Sequence, residues 1–302
     1  MKRVFPHFER LPVREPFRLD LTVDALRRLA TNTVDVVSDN GAYYRAFETG
    51  TGVVAVRVTQ PEPSILCVES SSEAPAQEVL ALVARMLGTE VDLRPWMRRA
   101  ASVPWLAPIA RALRGVKPPR YPSLWEACAH AIVFQQISIH AAASIMRRLI
   151  GLIGIPVHVD GMELLPFPSA GALLRANETQ LRSAGLSANK AAHLHAVARA
   201  LEAGEVTGEE IEALPTSQAA ERLVQLRGIG PWSASVVLLR GFGRLDTFPM
   251  RDSGVARTAA LLSGNPDVNL NTVLERLGPT RGMLYYHLLL GRLRNLTPAR
   301  KD

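Results

Sequence analysis

The most informative segment of this chain is Leu223-Val-Gln-Leu-Arg-Gly-Ile-Gly-Pro-Trp-Ser-Ala-Ser-Val-Val-Leu-Leu-Arg240. Apolar residues at helical spacing stop at the turn 227–231, and a second apolar helix follows directly. Gly228 and Gly230 allow the tight connection of a helix-hairpin-helix. Such a turn exposes backbone N–H groups, and the helix after it adds its positive dipole end. We therefore expect the turn to bind a phosphate.

The predicted phosphate site consists of four residues. We assign Gly228, Ile229 and Gly230 to it through their main chain, and Ser233 through its hydroxyl in the first turn of the second helix. A Gly-x-Gly turn also occurs as a purely structural connection between helices, and this turn alone would favour that interpretation. A carboxylate further along the chain shifts the balance towards function.

That carboxylate, Asp252, precedes a helical pattern of apolar residues. An aspartate at this position commonly serves only as an N-cap. The same position favours the charged carboxylate, because backbone N–H donors and the helix dipole face it. An anion beside a phosphate-binding hairpin suits chemistry on a sugar, so Asp252 is the candidate catalytic residue.

Three blocks of the chain resemble the helix-hairpin-helix DNA glycosylases, and the 3-methyladenine DNA glycosylase II type most of all. Leu124-Trp-Glu-Ala-Cys-Ala-His-Ala-Ile-Val-Phe-Gln-Gln-Ile-Ser138 is similar to a family helix that ends in Gln-x-[IV]-Ser. Ala184-Gly-Leu-Ser-Ala-Asn-Lys190 is similar to the family's Gly-Leu-Ser-x-x-Lys helix start. The hairpin with Asp252 is the third block. The resemblance covers residues 105–296 and implies that the family's catalytic aspartate falls on Asp252.

The resemblance also implies how a damaged base is reached and released. Gln136, with Gln135 beside it, would fill the gap left by a nucleotide flipped out of the duplex. The alternative is an exposed polar helix end. Trp232 stands where bifunctional relatives carry a nucleophilic lysine. Because an indole cannot form an imine, we expect no strand cleavage.

Four residues are assigned to the base pocket. Trp232 can face a cationic alkylated purine, or it can simply pack the hairpin against the core. The resemblance places a pocket tyrosine where this chain has Val236 and a pocket tryptophan near Gly282, which leaves the substrate range open. Tyr285 and Tyr286 can supply replacement aromatic rings or belong to the core.

Composition agrees with a polyanionic partner. The 302 residues carry 35 Lys and Arg against 28 Asp and Glu, a net charge of +7. Two cysteines cannot hold the four-cysteine iron–sulfur cluster of some relatives. We expect no metal and no cofactor, although a monovalent cation is compatible with the hairpin main chain. The expected partner is double-stranded DNA with a damaged base, bound by a monomer.

Apolar runs of 18 residues and a signal-peptide pattern are both lacking in the sequence. We therefore expect a cytoplasmic, nucleoid-associated protein without membrane contact.

The chain changes character near residue 100. Short alternating runs before it, such as Gly52–Thr59, predict half-buried strands, and helical periodicity dominates after it. The expected fold is mainly α, with an N-terminal α+β domain over 15–102 that contains a small antiparallel sheet. A two-lobed helical body would follow over 103–302, with the active site between its lobes as the resemblance implies. We expect residues 1–14 to be poorly ordered.

Two helical patterns, Val23–Ala30 and Pro75–Leu87, accompany the predicted strands. Segments rich in Gly and Pro are predicted to be loops between the helices of the body. They are residues 115–122, 154–168 and 241–250.

Three functions are compatible with these residues. The first is a monofunctional glycosylase that hydrolyses the N-glycosidic bond of alkylated purines by base flipping and carboxylate stabilisation of an oxocarbenium-like state. The second is a glycosylase of the same scaffold for an oxidised or deaminated base, which the residues Val236 and Gly282 favour. The third is a non-catalytic DNA-binding protein, against which Asp252 argues. Electrostatic and general-base roles of Asp252 both remain open.

Overall fold

The computed structural model describes residues 5–49, 52–71 and 76–296. Over these residues the chain is mainly helical with one small antiparallel sheet near the N-terminus, which confirms the predicted fold class. The sheet has the strand order β1-β5-β4-β3-β2. Its strands are β1 (His7–Pro12), β2 (Val36–Val37), β3 (Tyr43–Thr49), β4 (Gly52–Glu62) and β5 (Ile65–Ser70).

Strand β1 overturns part of one expectation. It pairs antiparallel with β5 from His7 opposite Ser70 to Pro12 opposite Ile65. Next to it, the Val13 N–H donates to the Ser64 carbonyl. The expectation of poor order over residues 1–14 is therefore wrong for this strand, because edge pairing fixes its backbone. Residues 1–4 lie outside the described residues.

A second, two-stranded sheet lies within the segment 154–168. It consists of β6 (Val157–Val159) and β7 (Met162–Leu164). The prediction of a loop is wrong here, because Val159 and Leu164 bury their side chains against the far face of the larger sheet. Ala55 of β4 belongs to the same cluster, so the centre of this strand is buried on both faces rather than on one.

Fifteen α-helices make up about half of the described chain, and several begin with a serine, threonine or asparagine cap. They are α1 (Leu19–Arg27), α2 (Ala76–Leu87), α3 (Arg94–Ala101), α4 (Leu106–Ala112), α5 (Leu124–Val133), α6 (Ile139–Ile153), α7 (Ala170–Arg175), α8 (Glu178–Ser183), α9 (Ala188–Glu202), α10 (Gly208–Ala213), α11 (Thr216–Val224), α12 (Pro231–Phe242), α13 (Ser253–Ser263), α14 (Leu270–Leu277) and α15 (Met283–Leu293).

The described residues bury two large cores, which we call the first and second core. The first joins the sheet to α5, α6, α7, α9 and α11, and the second joins α3, α4, α13, α14 and α15. Helix α12 runs between them, because Val237 packs in the first core and Leu239 in the second. Helix α3 precedes residue 103 but packs in the second core together with helices of the body. The domain boundary at residue 103 stays a prediction.

Candidate active site

The hairpin turn between α11 and α12 requires glycine at one position. Gly228 has φ of +94°, in the left-handed region that favours glycine. A Cβ at this position would also lie 2.5 Å from the side chain of His193 on α9. Ile229 turns its side chain into the first core, where it is 3% exposed, and its N–H donates to the Leu226 carbonyl. The predicted need for a glycine is confirmed at Gly228.

Gly230 is conformationally ordinary, unlike Gly228. Its φ and ψ of −91° and −179° are available to any residue, and no atom lies within 4 Å of a Cβ built on it. The expectation that the turn needs this glycine is therefore wrong. Pro231 begins α12, so the N–H groups of Trp232 and Ser233 in its first turn have no intrahelical carbonyl to bond. This helix N-terminus and the open space at Gly230 remain suited to an anion.

Gln135 ties the end of α5 to the hairpin. Its Nε2 donates to the Gly228 carbonyl over 2.8 Å and to the Ser233 hydroxyl over 2.7 Å. Ser233 is 2% exposed, so its hydroxyl lies beneath the turn and not at the surface. The Gln135 side chain thus contacts the hairpin within the protein, and its predicted contact with DNA stays a prediction. The assignment of Ser233 to the phosphate site stays a prediction, and its backbone N–H in the first turn of α12 is the group that suits it.

Gln136 forms the exposed tip between α5 and α6. Its φ of +58° is rare for a residue other than glycine and turns the chain sharply after α5. Lys190 on α9 supports this turn, because its Nζ donates to the carbonyls of Val133 (2.7 Å) and Gln135 (2.8 Å). Burial lowers the pKa of the Lys190 ammonium. The two hydrogen bonds from the Lys190 Nζ cap the carbonyl end of α5.

Asp252 is the N-cap of α13 and accepts three hydrogen bonds. Its Oδ1 accepts from the N–H groups of Gly254 (2.9 Å) and Val255 (3.0 Å). Its Oδ2 accepts from the indole Nε1 of Trp232 over 3.1 Å. All three partners are donors, so both oxygens of the carboxyl group act as acceptors and its orientation is fixed. The predicted neighbourhood of hairpin and carboxylate is therefore present, with Trp232 as the connecting residue.

Two of the predicted pocket residues lie in the core instead. Val236 is 2% exposed in the first core, and Tyr286 is fully buried in the second. The Tyr286 hydroxyl bonds the carbonyls of Pro119 and Leu239, so it satisfies backbone groups inside the protein. Helical spacing could not separate these residues from pocket residues, because both kinds follow one face of a helix.

Tyr285 belongs to a cluster that the sequence did not reveal. Its hydroxyl accepts a hydrogen bond of 3.3 Å from Nη2 of Arg28, the residue that ends α1. The Arg28 guanidinium also stacks over the ring of Phe134, with Cζ 4.3 Å from the ring centroid. Phe134 directly precedes Gln135, so this cluster lies next to the end of α5. Three distant segments meet here, and no local spacing signals such a meeting.

Two cavities differ in their relation to these residues. A cavity of about 320 Å³ is lined by Asp252, by the loop from Phe248 to Arg251, and by Leu270 of α14. A larger one, of about 720 Å³, lies at the opposite end of α5, between Glu126, Arg45 of β3 and Thr207. Neither cavity is lined by Trp232, Tyr285 or the hairpin, so neither of them corresponds to the predicted base pocket.

Within the described ranges, no group of three His, Cys, Asp or Glu side chains is placed to hold a metal ion. In the same part of the chain, no helix is both long and apolar enough to span a bilayer. Cys67 and Cys128 are both free thiols. The monovalent cation considered for the hairpin stays a prediction.

The fold and the arrangement of the hairpin and Asp252 are those of a helix-hairpin-helix protein. Residues 129–279, half of the chain, match the HhH-GPD superfamily base excision DNA repair proteins. The chain belongs to this family.

Individual relatives agree with the family. A solved 3-methyladenine DNA glycosylase from Archaeoglobus fulgidus is 26% identical and has a TM-score of 0.80 over 94% of this chain and 98% of that chain. A DNA-3-methyladenine glycosylase from Bacillus subtilis is 26% identical over 62% of this chain. A Mycobacterium tuberculosis protein, described as a bifunctional transcriptional activator and DNA repair enzyme, is 29% identical over 85% of it. The alignments span only 61% and 51% of these two curated relatives' lengths.

Proposed function

We propose that this protein is a monofunctional DNA glycosylase that hydrolyses the N-glycosidic bond of alkylated purines in double-stranded DNA. The observation that carries the proposal is the Asp252 carboxylate, held by two backbone N–H groups and by Trp232 beside the hairpin. The names of the Archaeoglobus and Bacillus relatives support alkylated purines as the substrate class. The protein would act as a monomer in the cytoplasm, at the nucleoid, without a cofactor.

The hairpin would bind the DNA backbone. Free N–H groups in the first turn of α12, its positive dipole end and the space at Gly230 fit one phosphate. Contacts to phosphate carry no sequence information, and neutralising phosphates releases counterions. Binding through this element should therefore depend on salt and not on the lesion.

Gln136 would fill the gap left by the extruded nucleotide. Its side chain is exposed at the tip after α5, and a residue held in the left-handed region commonly marks a functional position. An enzyme that acts on a base within duplex DNA must flip it out and offset the lost stacking. A polar side chain at this tip can occupy the vacated position and bond the orphaned partner base.

Asp252 would stabilise the transition state. As the bond between C1′ and the base breaks, positive charge develops on the deoxyribose, and a fixed anion stabilises that charge more than the ground state. The three donors on Asp252 hold its geometry before the reaction begins. The same carboxylate can also accept a proton from the attacking water.

The product would be an abasic site in an intact strand. Trp232 occupies the position where the resemblance places the lysine of bifunctional enzymes, and an indole forms no Schiff base. Lys190, an amine near the hairpin, donates to two carbonyls at the end of α5. Because these two hydrogen bonds hold the Lys190 amine at the end of α5, they oppose its use as a nucleophile.

The replacement Asp252→Asn tests the proposal. Asparagine is as good an N-cap as aspartate, so α13 and DNA binding should persist. Release of 7-methylguanine from a duplex should fall by about two to three orders of magnitude, the usual effect of losing one preorganised electrostatic group. Base release is measured by single-turnover kinetics.

Asp246→Asn is the matched control, because Asp246 is an exposed carboxylate that precedes Asp252 in the chain and accepts a hydrogen bond from Thr216 at the start of α11. Its rate should stay near that of the wild type. Wild-type turnover by Asp252→Asn would refute the assignment of this residue.

A further inference from the structure

Arg251 directly precedes the proposed catalytic carboxylate and has an unusual backbone conformation. Its φ of +60° lies in the left-handed region, which glycine and asparagine adopt readily and a long side chain rarely does. The residue is exposed, so burial of its side chain does not offset this strain. A strained residue that packing does not stabilise points to a functional task at this position.

The guanidinium of Arg251 has no anionic partner. Among the residues that the structure describes, no carboxylate lies within 4 Å of it, and its side chain makes no hydrogen bond. Asp252, its neighbour in the chain, accepts from Trp232 and from two backbone N–H groups instead. Arginine stays protonated in proteins, so an unpaired positive charge lies beside the carboxylate.

Arg251 and Asp252 line the same cavity of about 320 Å³. Most of the other lining residues are apolar, among them Phe248, Val255 and Leu270, and Arg251 is the only cation of the set. A largely apolar wall with one positive charge suits a sugar phosphate, which combines the C–H groups of a ring with an anion.

A free cation at this position would oppose the proposed reaction. Positive charge develops on the deoxyribose as its bond to the base breaks, and a second positive charge nearby raises the energy of that state. An anion bound to Arg251 would remove this opposition. In duplex DNA the anion within reach of a sugar is its own phosphate.

We propose that Arg251 binds one of the two phosphates that flank the extruded nucleotide and so positions its sugar against Asp252. This inference rests on the proposed glycosylase function and adds a second phosphate contact to that of the hairpin. Both flanking phosphates are attached to the sugar that carries the base, so a group next to Asp252 reaches one of them when Asp252 faces C1′. The planar fork of arginine can donate two hydrogen bonds to one phosphate.

The replacement Arg251→Asn tests the contact. Asparagine tolerates the left-handed conformation, so the loop and the melting temperature should persist. Binding is measured at several salt concentrations on a duplex with a tetrahydrofuran abasic analogue, from which no base can be released. The affinity should fall by about tenfold at low salt. The slope of log K against log salt should become shallower by about 0.9, the value for one lost phosphate contact.

Neutral linkages locate the phosphate that Arg251 binds. Each of the two phosphates beside the abasic analogue is replaced in turn by a methylphosphonate. One replacement should weaken binding of the wild type by about tenfold and binding of Arg251→Asn by less than about twofold, because the partner of that phosphate is already missing. Equal effects on the two proteins at both positions, or an unchanged salt slope for Arg251→Asn, would overturn the inference.

Arg175→Gln is the matched control. Arg175 is an exposed arginine at the end of α7, and the first residue of this helix, Ala170, lines the larger cavity at the opposite end of α5 from Gln136. Its loss removes the same charge and should leave the salt slope and both methylphosphonate effects unchanged. If Arg251→Asn melts below the assay temperature, Arg251→Gly is judged by the same criteria, because glycine adopts this φ freely.

Base release separates the two proposals. Failure of the wild type to release 7-methylguanine would reject the proposed function, whereas the binding measurements do not depend on base release. Release by the wild type together with an unchanged salt slope for Arg251→Asn would reject the role of Arg251 and leave the proposed function standing.

Discussion

At the scale of single residues, the two glycines of the hairpin have different tasks. Gly228 is fixed by its backbone conformation and by its contact with His193. Gly230 meets neither restriction and instead leaves space in front of the first turn of α12. One glycine therefore shapes the turn, and the other leaves the surface in front of α12 open.

This difference predicts opposite behaviour of two alanine variants. Gly228→Ala should destabilise the protein by about 1–3 kcal/mol, because alanine is strained at this φ and its methyl group would collide with His193. Gly230→Ala should melt like the wild type but bind duplex DNA more weakly, whether the DNA is damaged or intact. Thermal unfolding and binding at two salt concentrations measure both effects. Equal melting temperatures for the two variants would contradict the division.

The sequence predicted some site residues and missed others for a physical reason. Gly228 and Asp252 carry local signals, a tight turn and a helix start. Tyr286 carries only helical spacing, which core and pocket residues share, so its assignment to the pocket was misleading. Arg28 ends α1, and its partners Phe134 and Tyr285 are more than 100 residues away. Such contacts exist only after the chain has folded.

At the scale of helices, α3 and α15 are joined by a histidine that must be neutral. Trp96 donates its indole N–H to Nε2 of His287 over 3.1 Å, so this nitrogen carries no proton. Nδ1 lies 2.9 Å from the Met283 carbonyl and therefore carries the proton. Burial lowers the pKa of His287 to about 4. Protonation of Nε2 would replace this hydrogen bond with two opposed donors.

The histidine predicts a pH dependence of stability. The ordinary pKa of about 6.5 in the unfolded chain exceeds the folded value, so the contribution of His287 is complete above pH 6.5 and is lost as the pH falls towards 4. The loss should reach about 3 kcal/mol at most. His287→Gln, which can make both hydrogen bonds without titrating, should flatten the denaturation profile over this range. The exposed His140→Gln should keep the wild-type slope, and an equal slope in all three proteins would refute the assignment.

Elements with a clear period were predicted well. The helix of Pro75–Leu87 matches α2, whose described residues begin at Ala76, and the alternating run of Gly52–Thr59 lies within β4. The strands β6 and β7 were missed because each has only three residues. A run that short shows no periodicity, and its pairing is stabilised by burial against the larger sheet.

At the scale of the whole molecule, a buried ionic cluster joins the sheet to the helical body. Arg45 of β3 pairs with Asp35 and with Glu126 of α5, each over 2.6 Å, and all three side chains are almost fully buried. The Tyr43 hydroxyl adds a hydrogen bond to Asp35. Because α5 also leads to the tip at Gln136, the sheet helps to position that helix.

The cluster predicts that one substitution in the sheet strongly lowers the stability of the protein. Arg45→Met would leave two carboxylates buried without a counter-charge, which should destabilise the protein by about 3–5 kcal/mol. Arg57→Met is the matched control, because Arg57 pairs with Glu69 on the neighbouring strand and is partly exposed. Its effect should stay below about 1 kcal/mol. Chemical denaturation measures both, and similar values for the two variants would contradict the importance of the cluster.

The capped tip after α5 has a consequence for the search along DNA. Lys190 holds its carbonyls and Gln135 anchors it to the hairpin, so its conformational entropy is lost when the protein folds and not when DNA arrives. A rigid tip does not change its shape to fit an intact base stack. The duplex must therefore open for the tip to enter. Intact pairs resist opening more than damaged ones do. Under the proposed function, recognition then becomes a matter of residence time: the protein leaves sound pairs quickly and stays where pairing is already weak.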